Sequence, residues 1–170
     1  MKVPPQKATA SWGPRFVADA MLGRLARRLR MLGYDILYQR DIDDGGLLRL
    51  AMREDRIILT RDTRLAMRKA AIGRTFLISS EDPVKQVKEI TQAFPALSCV
   101  PVRCTICNGA LKPVEDRQSV LGQVPEHVFH SASGFFKCPN CGHIYWEGSH
   151  MEHFKGELLS IRASGEEEED

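Results

Sequence analysis

The sequence predicts an α/β protein with a parallel sheet covered by helices, followed by a small metal-bound module. Short apolar strands alternate with amphipathic helices from Phe16 to about Phe94. That alternation is typical of a parallel sheet with helices on both faces, a three-layer α/β/α arrangement. After Phe94 and Pro95 the pattern changes, and two Cys-x-x-Cys pairs occur among prolines, glycines and short apolar pieces.

The first half of the body contains two predicted strands and two predicted helices. A strand at 15–19 leads into a helix over 21–33, where apolar residues recur every three to four positions and a glycine suits the last position. The next strand covers 35–39. A helix then begins at Asp43 or Asp44, either of which is a good N-cap residue, and runs through LLRLAMRED.

The second half of the body repeats this alternation. The third strand is predicted over 56–60, a helix over 62–70 and the fourth strand over 75–79. Asp82 and Pro83 then open a last helix that reaches Phe94, because proline is favoured at the first helical position. The small module carries three short pieces with strand character, HVFHS, FFKC and HIYW.

Four segments are expected along the chain. They are a flexible N-terminal arm at 1–14, the α/β body at 15–100, the metal-bound module at 101–156, and a segment at 157–170. The last holds the end of a short helix, predicted within 151–162, and an acidic disordered tail. No apolar run approaches the roughly 18 residues of a membrane span, and the first residues lack the apolar core of a secretory signal. A cytoplasmic protein that does not bind membranes is expected.

The body is more basic than the whole chain. Between Arg15 and Val100 there are 16 lysines and arginines against 11 acidic residues, whereas the whole chain has a formal charge of +2. The tail Glu166–Asp170 (EEEED) offsets much of the difference. A basic body favours a polyanionic partner.

The cysteine pairs predict a structural zinc site. Two residues between paired cysteines let one tight turn present two thiolates to one ion, and four thiolates complete a tetrahedral zinc site without an open position. A thioredoxin-like redox site would need only one such pair. The predicted ligands are Cys104, Cys107, Cys138 and Cys141.

Other features of the module follow from this site. Gly109 and Gly142 suit left-handed turns after each pair. The 30 residues between the pairs exceed the usual spacing, so an additional hairpin is expected there. Cys99 is expected to be a buried thiol outside the site.

Carboxylates follow two of the predicted strands directly. Asp19 ends the first strand, Asp62 follows the third, and Asp44 lies at the start of the helix after the second. Ligands of open parallel sheets bind outside the carboxyl ends of the strands. Acids that converge there need a cation, and Mg²⁺ or Mn²⁺ prefers such oxygen ligands. A divalent metal that activates water for attack on a phosphate is therefore one interpretation.

Helix capping is the alternative interpretation of the same acids. An N-cap aspartate contributes roughly 0.5–2 kcal/mol without any metal. All of the relevant acids lie at plausible N-caps, namely Asp19, Asp43, Asp44, Asp62 and Asp82.

Arginines flank these acids. Arg24, Arg27 and Arg28 fall on the helix face opposite the leucines, and Arg61 adjoins Asp62. Their forked guanidinium groups suit phosphodiester oxygens, so they are the predicted phosphate-binding residues. A solvated helix face is the other interpretation.

The linked motifs resemble the Mut-7 C-terminal RNase domain family over about residues 15–156. They are ADAMLGRLARRLRMLGYD, DIDDGGLLRLA, IILTRD, CTIC and CPNCGHIYWEGSH. The resemblance implies a PIN-like α/β/α fold, a C-terminal zinc ribbon, and RNA cleavage that depends on Mg or Mn. Family members often carry two acids where this chain has Gly45-Gly46.

The resemblance also implies which acids would act. Its acidic positions correspond to Asp19, an acid of DIDD and Asp62. Within DIDD, Asp44 is preferred because it directly precedes the helix, and Asp43 stays an alternative metal ligand. Asp82 is a tentative fourth acid.

Two functions follow from the sequence. The first is a ribonuclease with catalytic Asp19, Asp44 and Asp62. The alternative is a non-catalytic RNA-binding or scaffold module on a nuclease fold. In either, the zinc ribbon would aid binding of RNA or a partner through stacking aromatic rings, unless those rings form the ribbon's core. The rings are Phe135, Phe136, Tyr145 and Trp146. Single-stranded DNA is a second candidate ligand and a homodimer a candidate assembly, while the natural RNA and the choice between endo- and exonuclease stay open.

Overall fold

A computed structural model describes residues 13–95 and 101–146 of the chain. The chain divides into two compact units, and the boundary lies between Ala110 and Leu111. Most of the predicted arm, Cys99, the closing helix and the acidic tail lie outside the described residues. The boundaries predicted at 100 and 156 stay predictions.

Four parallel strands form the sheet of the first unit, in the order β2-β1-β3-β4. They are β1 (Arg15–Ala18), β2 (Asp35–Tyr38), β3 (Ile57–Thr60) and β4 (Thr75–Leu77). The predicted α/β class with a parallel sheet is confirmed. The two central strands are β1 and β3. Because β2 lies beside β1 and β4 lies beside β3, the chain leaves the two central strands in opposite directions along the sheet.

Three helices connect the strands of this unit, and a fourth follows β4. They are α1 (Gly23–Met31), α2 (Asp44–Arg53), α3 (Thr63–Ala66) and α4 (Pro83–Ala93), and a 3₁₀ turn at Ala20–Leu22 precedes α1. None of the helices in the described residues has the length and hydropathy needed to cross a bilayer.

Two predicted elements are shorter than expected. The helix predicted over 62–70 ends at Ala66, and the strand predicted over 75–79 ends at Leu77. After Ala66 the chain forms a series of turns. In these turns the N–H groups of Arg68, Ala71 and Arg74 donate to carbonyls three positions earlier. These turns bring the chain back to the sheet sooner than a longer helix would.

Apolar side chains cover both faces of the sheet. On one face Val17 and Ile58 pack with buried residues of α2 and α3, among them Leu47 and Leu65. Elsewhere in the core Phe16 makes edge-to-face contacts with Tyr34 and Phe94 at 6.0 and 5.2 Å between ring centroids. All four residues of β3 are buried, as expected for an inner strand of a parallel sheet.

The start of α1 approaches β2 closely at Gly23. A Cβ atom at that position would lie 2.7 Å from Oη and 2.8 Å from Cζ of Tyr38. The Tyr38 hydroxyl also donates to the Ala20 carbonyl at 3.0 Å, which fixes the ring beneath the preceding turn. Any larger residue at position 23 would therefore collide with the Tyr38 ring and force it to shift.

The second unit is a small antiparallel sheet with one helix. Strands β5 (Lys112–Pro113), β6 (Phe135–Lys137) and β7 (Ile144–Trp146) are ordered β5-β6-β7, and a 3₁₀ turn at Arg117–Val120 and α5 (Glu126–Ser131) connect β5 to β6.

Both the strand character predicted for HVFHS and the expected hairpin are wrong. Val128, Phe129 and Ala132 are buried at helical spacing, while His127 and His130 are exposed. The segment is a helix because that spacing lets one face pack on the core of the unit.

Aromatic rings divide between this core and the surface. Phe135 is buried and stacks with Phe129 at 6.3 Å between centroids. The Arg117 guanidinium lies 5.3 and 5.1 Å from the centroids of these two rings. Phe136 and Tyr145 are half-buried, and Trp146 is 37% exposed. Phe135 therefore belongs to the core of the unit.

We expect Gly23→Ala to lower the free energy of unfolding by about 1–3 kcal/mol, because the methyl group would be forced into Tyr38. Alanine at an open helix position would instead stabilise by up to about 1 kcal/mol. Urea denaturation checks the difference, with Gly134→Ala as control. A Cβ at Gly134 meets no atom within 4 Å. Unchanged or higher stability of Gly23→Ala would contradict the close approach.

Candidate functional site

Thr60 connects the two acidic residues at the strand ends. Its hydroxyl donates to Oδ2 of Asp19 at 2.5 Å and accepts the backbone N–H of Asp62 at 2.9 Å. The Asp19 N–H donates to the Leu59 carbonyl at 2.9 Å, so the pairing of β1 with β3 continues up to the acid. Thr60 is fully buried, which fixes this arrangement at the carboxyl end of the central strands.

Asp44 and Asp43 lie at the start of α2. Oδ2 of Asp44 forms an ion pair with Arg68 at 2.5 Å. Asp43 is the N-cap of the helix, and its Oδ1 accepts the Gly46 N–H at 2.8 Å. The structure thus gives the last two acids of DIDD different partners.

Capping explains some of the predicted acids and not others. Asp62 accepts the N–H groups of Arg64 and Leu65, and Asp82 accepts that of Val84. Asp19 makes no capping hydrogen bond with its side chain.

The predicted arginines lie at the surface or partly buried. Arg24 and Arg27 are exposed on α1, and Arg28 is half-buried. Arg61 forms an ion pair with Glu81. Its Nε is buried and has no hydrogen-bond acceptor among the described residues.

The two Cys-x-x-Cys turns have the same backbone hydrogen bonds. Cys104 N–H donates to Gly109 and Cys138 N–H to His143, while the residue four positions after each cysteine donates back to it, all at 2.8–2.9 Å. That residue has a left-handed conformation in both turns, with φ of 68° at Asn108 and 75° at Gly142.

The turn predicted at Gly142 is confirmed, whereas the one at Gly109 is wrong by one position. Asn108 takes the left-handed conformation in the first pair, as asparagine tolerates. The reason is its side chain, which is buried and bonded to β2.

The four cysteines form one cluster. Their sulfur atoms all lie within 4.8 Å of one another, and within 13–95 and 101–146 this is the one group of three or more ligand side chains that converges on a point. Tetrahedral zinc with four thiolates places its sulfurs about 3.8 Å apart, so the cluster fits such an ion. The carboxylates do not form a second group of that kind among these residues.

Polar contacts attach the first cysteine turn to β2. Asn108 Oδ1 accepts the Ile36 N–H at 3.1 Å, and the Ile36 carbonyl accepts Nε and Nη2 of Arg30 at 3.0 and 2.8 Å. Arg30 Nη1 donates in addition to the carbonyls of Thr105 and Ile106, at 2.8 and 3.2 Å. The turn therefore covers the exposed edge of the sheet.

Asp35, the first residue of β2, is a further attachment point. It accepts Nη1 of Arg56 at 2.6 Å and Nδ2 of Asn108 at 2.8 Å, and Arg103 lies 3.5 Å away. Burial by itself would raise the pKa of Asp35, but the hydrogen bonds and charges of Arg56, Asn108 and Arg103 outweigh it and hold the pKa below its ordinary value. This network lies at the amino end of the sheet, opposite Asp19 and Asp62.

Sequence reasoning missed Thr60, Arg30 and Asn108. Arg30 carried a usable signal, since it follows Ala26 by four positions and therefore falls on the apolar face of α1. A buried position for an arginine indicates a specific set of acceptors. No local pattern identified the partners of Thr60 or Asn108.

Comparison with known proteins gives one finding. The model of a family described as the Mut7-C RNAse domain matches residues 14–158, which is most of the chain. Neither the curated proteins nor the solved structures contain a match.

We expect Asp35→Asn to lower the free energy of unfolding by about 3 kcal/mol at pH 7, because the buried Arg56 would lose the closer of its two carboxylate partners and keep only Glu54, at 2.9 Å. Since the pKa of Asp35 is lowered in the folded protein, its stabilisation is present above the ordinary carboxyl pKa of about 4. It is lost as the pH falls through the lowered value. Urea denaturation at several pH values should show the difference from the wild type shrinking below about pH 4.

Asp55→Asn is the matched control, since Asp55 forms an exposed pair with Arg74 at 2.9 Å. It should cost less than about 1 kcal/mol. Equal costs for the two variants at pH 7 would contradict a specific role of the Asp35 network.

One zinc ion per chain is expected in the purified protein, and Cys104→Ser should lower that content because three thiolates hold zinc less tightly. Elemental analysis by mass spectrometry measures it. Cys99→Ser, which changes the cysteine that belongs to neither Cys-x-x-Cys pair, should leave the content unchanged. Full zinc in Cys104→Ser would show that this thiolate is not a ligand.

Proposed function

Since the chain belongs to the Mut7-C RNAse domain family, we propose that it is a PIN-like ribonuclease that depends on Mg or Mn. Asp19, Asp44 and Asp62 are its proposed catalytic carboxylates, and RNA is its substrate. The cysteine cluster would hold a structural zinc ion away from the chemistry.

The observation that carries the proposal is the position of Asp19 and Asp62. They follow β1 and β3, the neighbouring strands from which the chain leaves in opposite directions. In open α/β sheets the crevice at such a point, outside the carboxyl ends, is where ligands bind. Thr60 links both residues, so the backbone supports the two acids together.

The free oxygens of these acids fit a hard cation. In Asp19, Asp44 and Asp62 one carboxylate oxygen has a protein partner, and the other has none among the described residues. Carboxylate oxygens suit Mg²⁺ and Mn²⁺. Such an ion supplies an activated water and stabilises charge on the leaving oxygen. Asp43 is the alternative ligand at α2, and Asp82 is a candidate fourth acid.

The contribution of the chain itself is positioning. Thr60 fixes the orientation of the Asp19 carboxylate through the bond to Oδ2, which leaves Oδ1 to face a ligand. Arg61 adjoins Asp62 and has a buried Nε–H without an acceptor among the described residues, which supports a phosphate contact there. Arg24, Arg27 and Arg28 would bind further phosphates along α1.

A non-catalytic RNA-binding or scaffold module is the alternative function. It is favoured by the capping bonds, because Asp43, Asp62 and Asp82 each satisfy a helix N–H and need no metal to explain them. Asp19 has no such role, which favours catalysis. Single-stranded DNA as a ligand, a homodimer and a cytoplasmic location stay predictions.

The test is cleavage of labelled single-stranded RNA in Mn²⁺ by wild type, Asp19→Asn and Asp62→Asn. We expect both variants to lose activity by about 100-fold or more, because a metal ligand is lost. RNA binding should persist, since removing a negative charge does not weaken attraction to phosphates. Zinc content is measured in parallel to show that the cysteine cluster is intact.

The Asn substitutions separate chemistry from capping. Asparagine caps helices about as well as aspartate, so a purely capping Asp62 would tolerate the change with full activity. Asp116→Asn is the control, because Asp116 caps a turn of the second unit by accepting the Gln118 N–H at 2.9 Å. If no protein cleaves RNA and all bind it in a salt-sensitive manner, the alternative function is correct.

A further inference from the structure

The first turn of α2 leaves a space that an arginine fills. A Cβ atom at Gly45 would lie 3.1 Å from Nη1 of Arg49, and one at Gly46 would lie 3.7 Å from Nη2. The Arg49 guanidinium therefore folds back over bare backbone. A Cβ atom at Gly45 would make a contact tighter than usual, so the guanidinium would have to yield by a few tenths of an ångström.

Arg49 has no fixed partner in this position. It is exposed, and within residues 13–95 and 101–146 no carboxylate or carbonyl accepts a hydrogen bond from its guanidinium. Among the exposed arginines of the described residues, Arg24 and Arg27 likewise form no ion pair, whereas two others are paired. Arg53, one turn further along α2, bonds Glu54 at 2.8 Å, and Arg68 bonds Asp44 at 2.5 Å.

Asp43 lies on the same side of this turn, since its Oδ2 would be 3.7 Å from the same Cβ atom at Gly45, but it forms no ion pair with Arg49. Asp43 accepts the Gly46 N–H, and Asp44 pairs with Arg68. A cation near the start of a helix is disfavoured by the helix dipole, and each glycine costs up to about 1 kcal/mol relative to alanine. An anion held in the arginine fork would offset both effects, and a phosphate fits that fork with two hydrogen bonds.

We infer that Arg49 binds a backbone phosphate of the RNA beside Asp44, and that Gly45 and Gly46 keep this place open. The inference rests on the proposed ribonuclease function and adds a phosphate contact to it. One nucleotide of the strand would thereby be held at the start of α2, next to the carboxyl end of the sheet.

The experiment measures binding of a fluorescein-labelled single-stranded RNA by anisotropy, over a range of NaCl concentrations and without added Mg or Mn. Arg49→Ala should weaken binding by about tenfold. It should also make the salt dependence shallower by about 0.7, the value for one phosphate contact on a single strand. Arg49→Lys should lose less affinity and keep the slope, since the charge remains.

Two further variants make the test specific. Gly45→Ala keeps Arg49 but displaces its guanidinium, so it should weaken binding in the same direction. Arg53→Ala removes an exposed arginine from the same helix and should change the affinity by less than about twofold, because Arg53 is paired with Glu54. Circular dichroism shows that all four variants are folded.

Equal effects of Arg49→Ala and Arg53→Ala, or an unchanged salt slope in Arg49→Ala, would overturn the inference. In that case RNA cleavage by the wild type would leave the proposed ribonuclease function standing. A wild type that neither binds nor cleaves RNA would overturn both.

Discussion

The direct pairing of β1 with β3 is the constraint on which the candidate site depends. Ala18 lies opposite Leu59 in this pair, and the next backbone bond, from Asp19 to Leu59, extends the ladder to the acid. Because the two strands are inner neighbours, the chain leaves them in opposite directions, and open α/β sheets bind their ligands outside the carboxyl ends at such a point. The backbone thus places both acids at this edge of the sheet. The Thr60 hydroxyl in addition orients the Asp19 carboxylate by a hydrogen bond to Oδ2.

The opposite end of the sheet is stabilised in a different way. There the first cysteine turn covers β2, an edge strand, and side chains of Arg30 and Asn108 satisfy both backbone groups of Ile36. Exposed strand edges promote unwanted pairing between molecules, so this cover has a protective role. Within the first unit, the first cysteine turn and the strand-end carboxylates therefore lie at opposite ends of the sheet.

Arginine has several roles here, and its surroundings decide which. Arg30 and Arg56 are buried and bind carbonyls or acids within the body. Arg53 and Arg68 are exposed and paired on the surface. Arg49 lies over glycines with no acceptor among the described residues, which is the situation expected of a residue that meets its partner in the substrate. Composition alone shows a basic body and does not separate these cases.

The sequence by itself determined the local features of this protein. Alternating strand and helix periods established the α/β class, and the spacing of four cysteines established their pairing into two turns, because both depend on neighbours a few positions apart. Only the tertiary structure decided that β1 lies beside β3, that Asn108 rather than Gly109 takes the left-handed turn, and that residues 126–131 form a helix. Each of these depends on contacts with residues far along the chain. The Asn108 side chain, for example, accepts a hydrogen bond from Ile36, which lies 72 positions earlier in the chain. A pattern of neighbouring residues cannot reveal a contact over that separation.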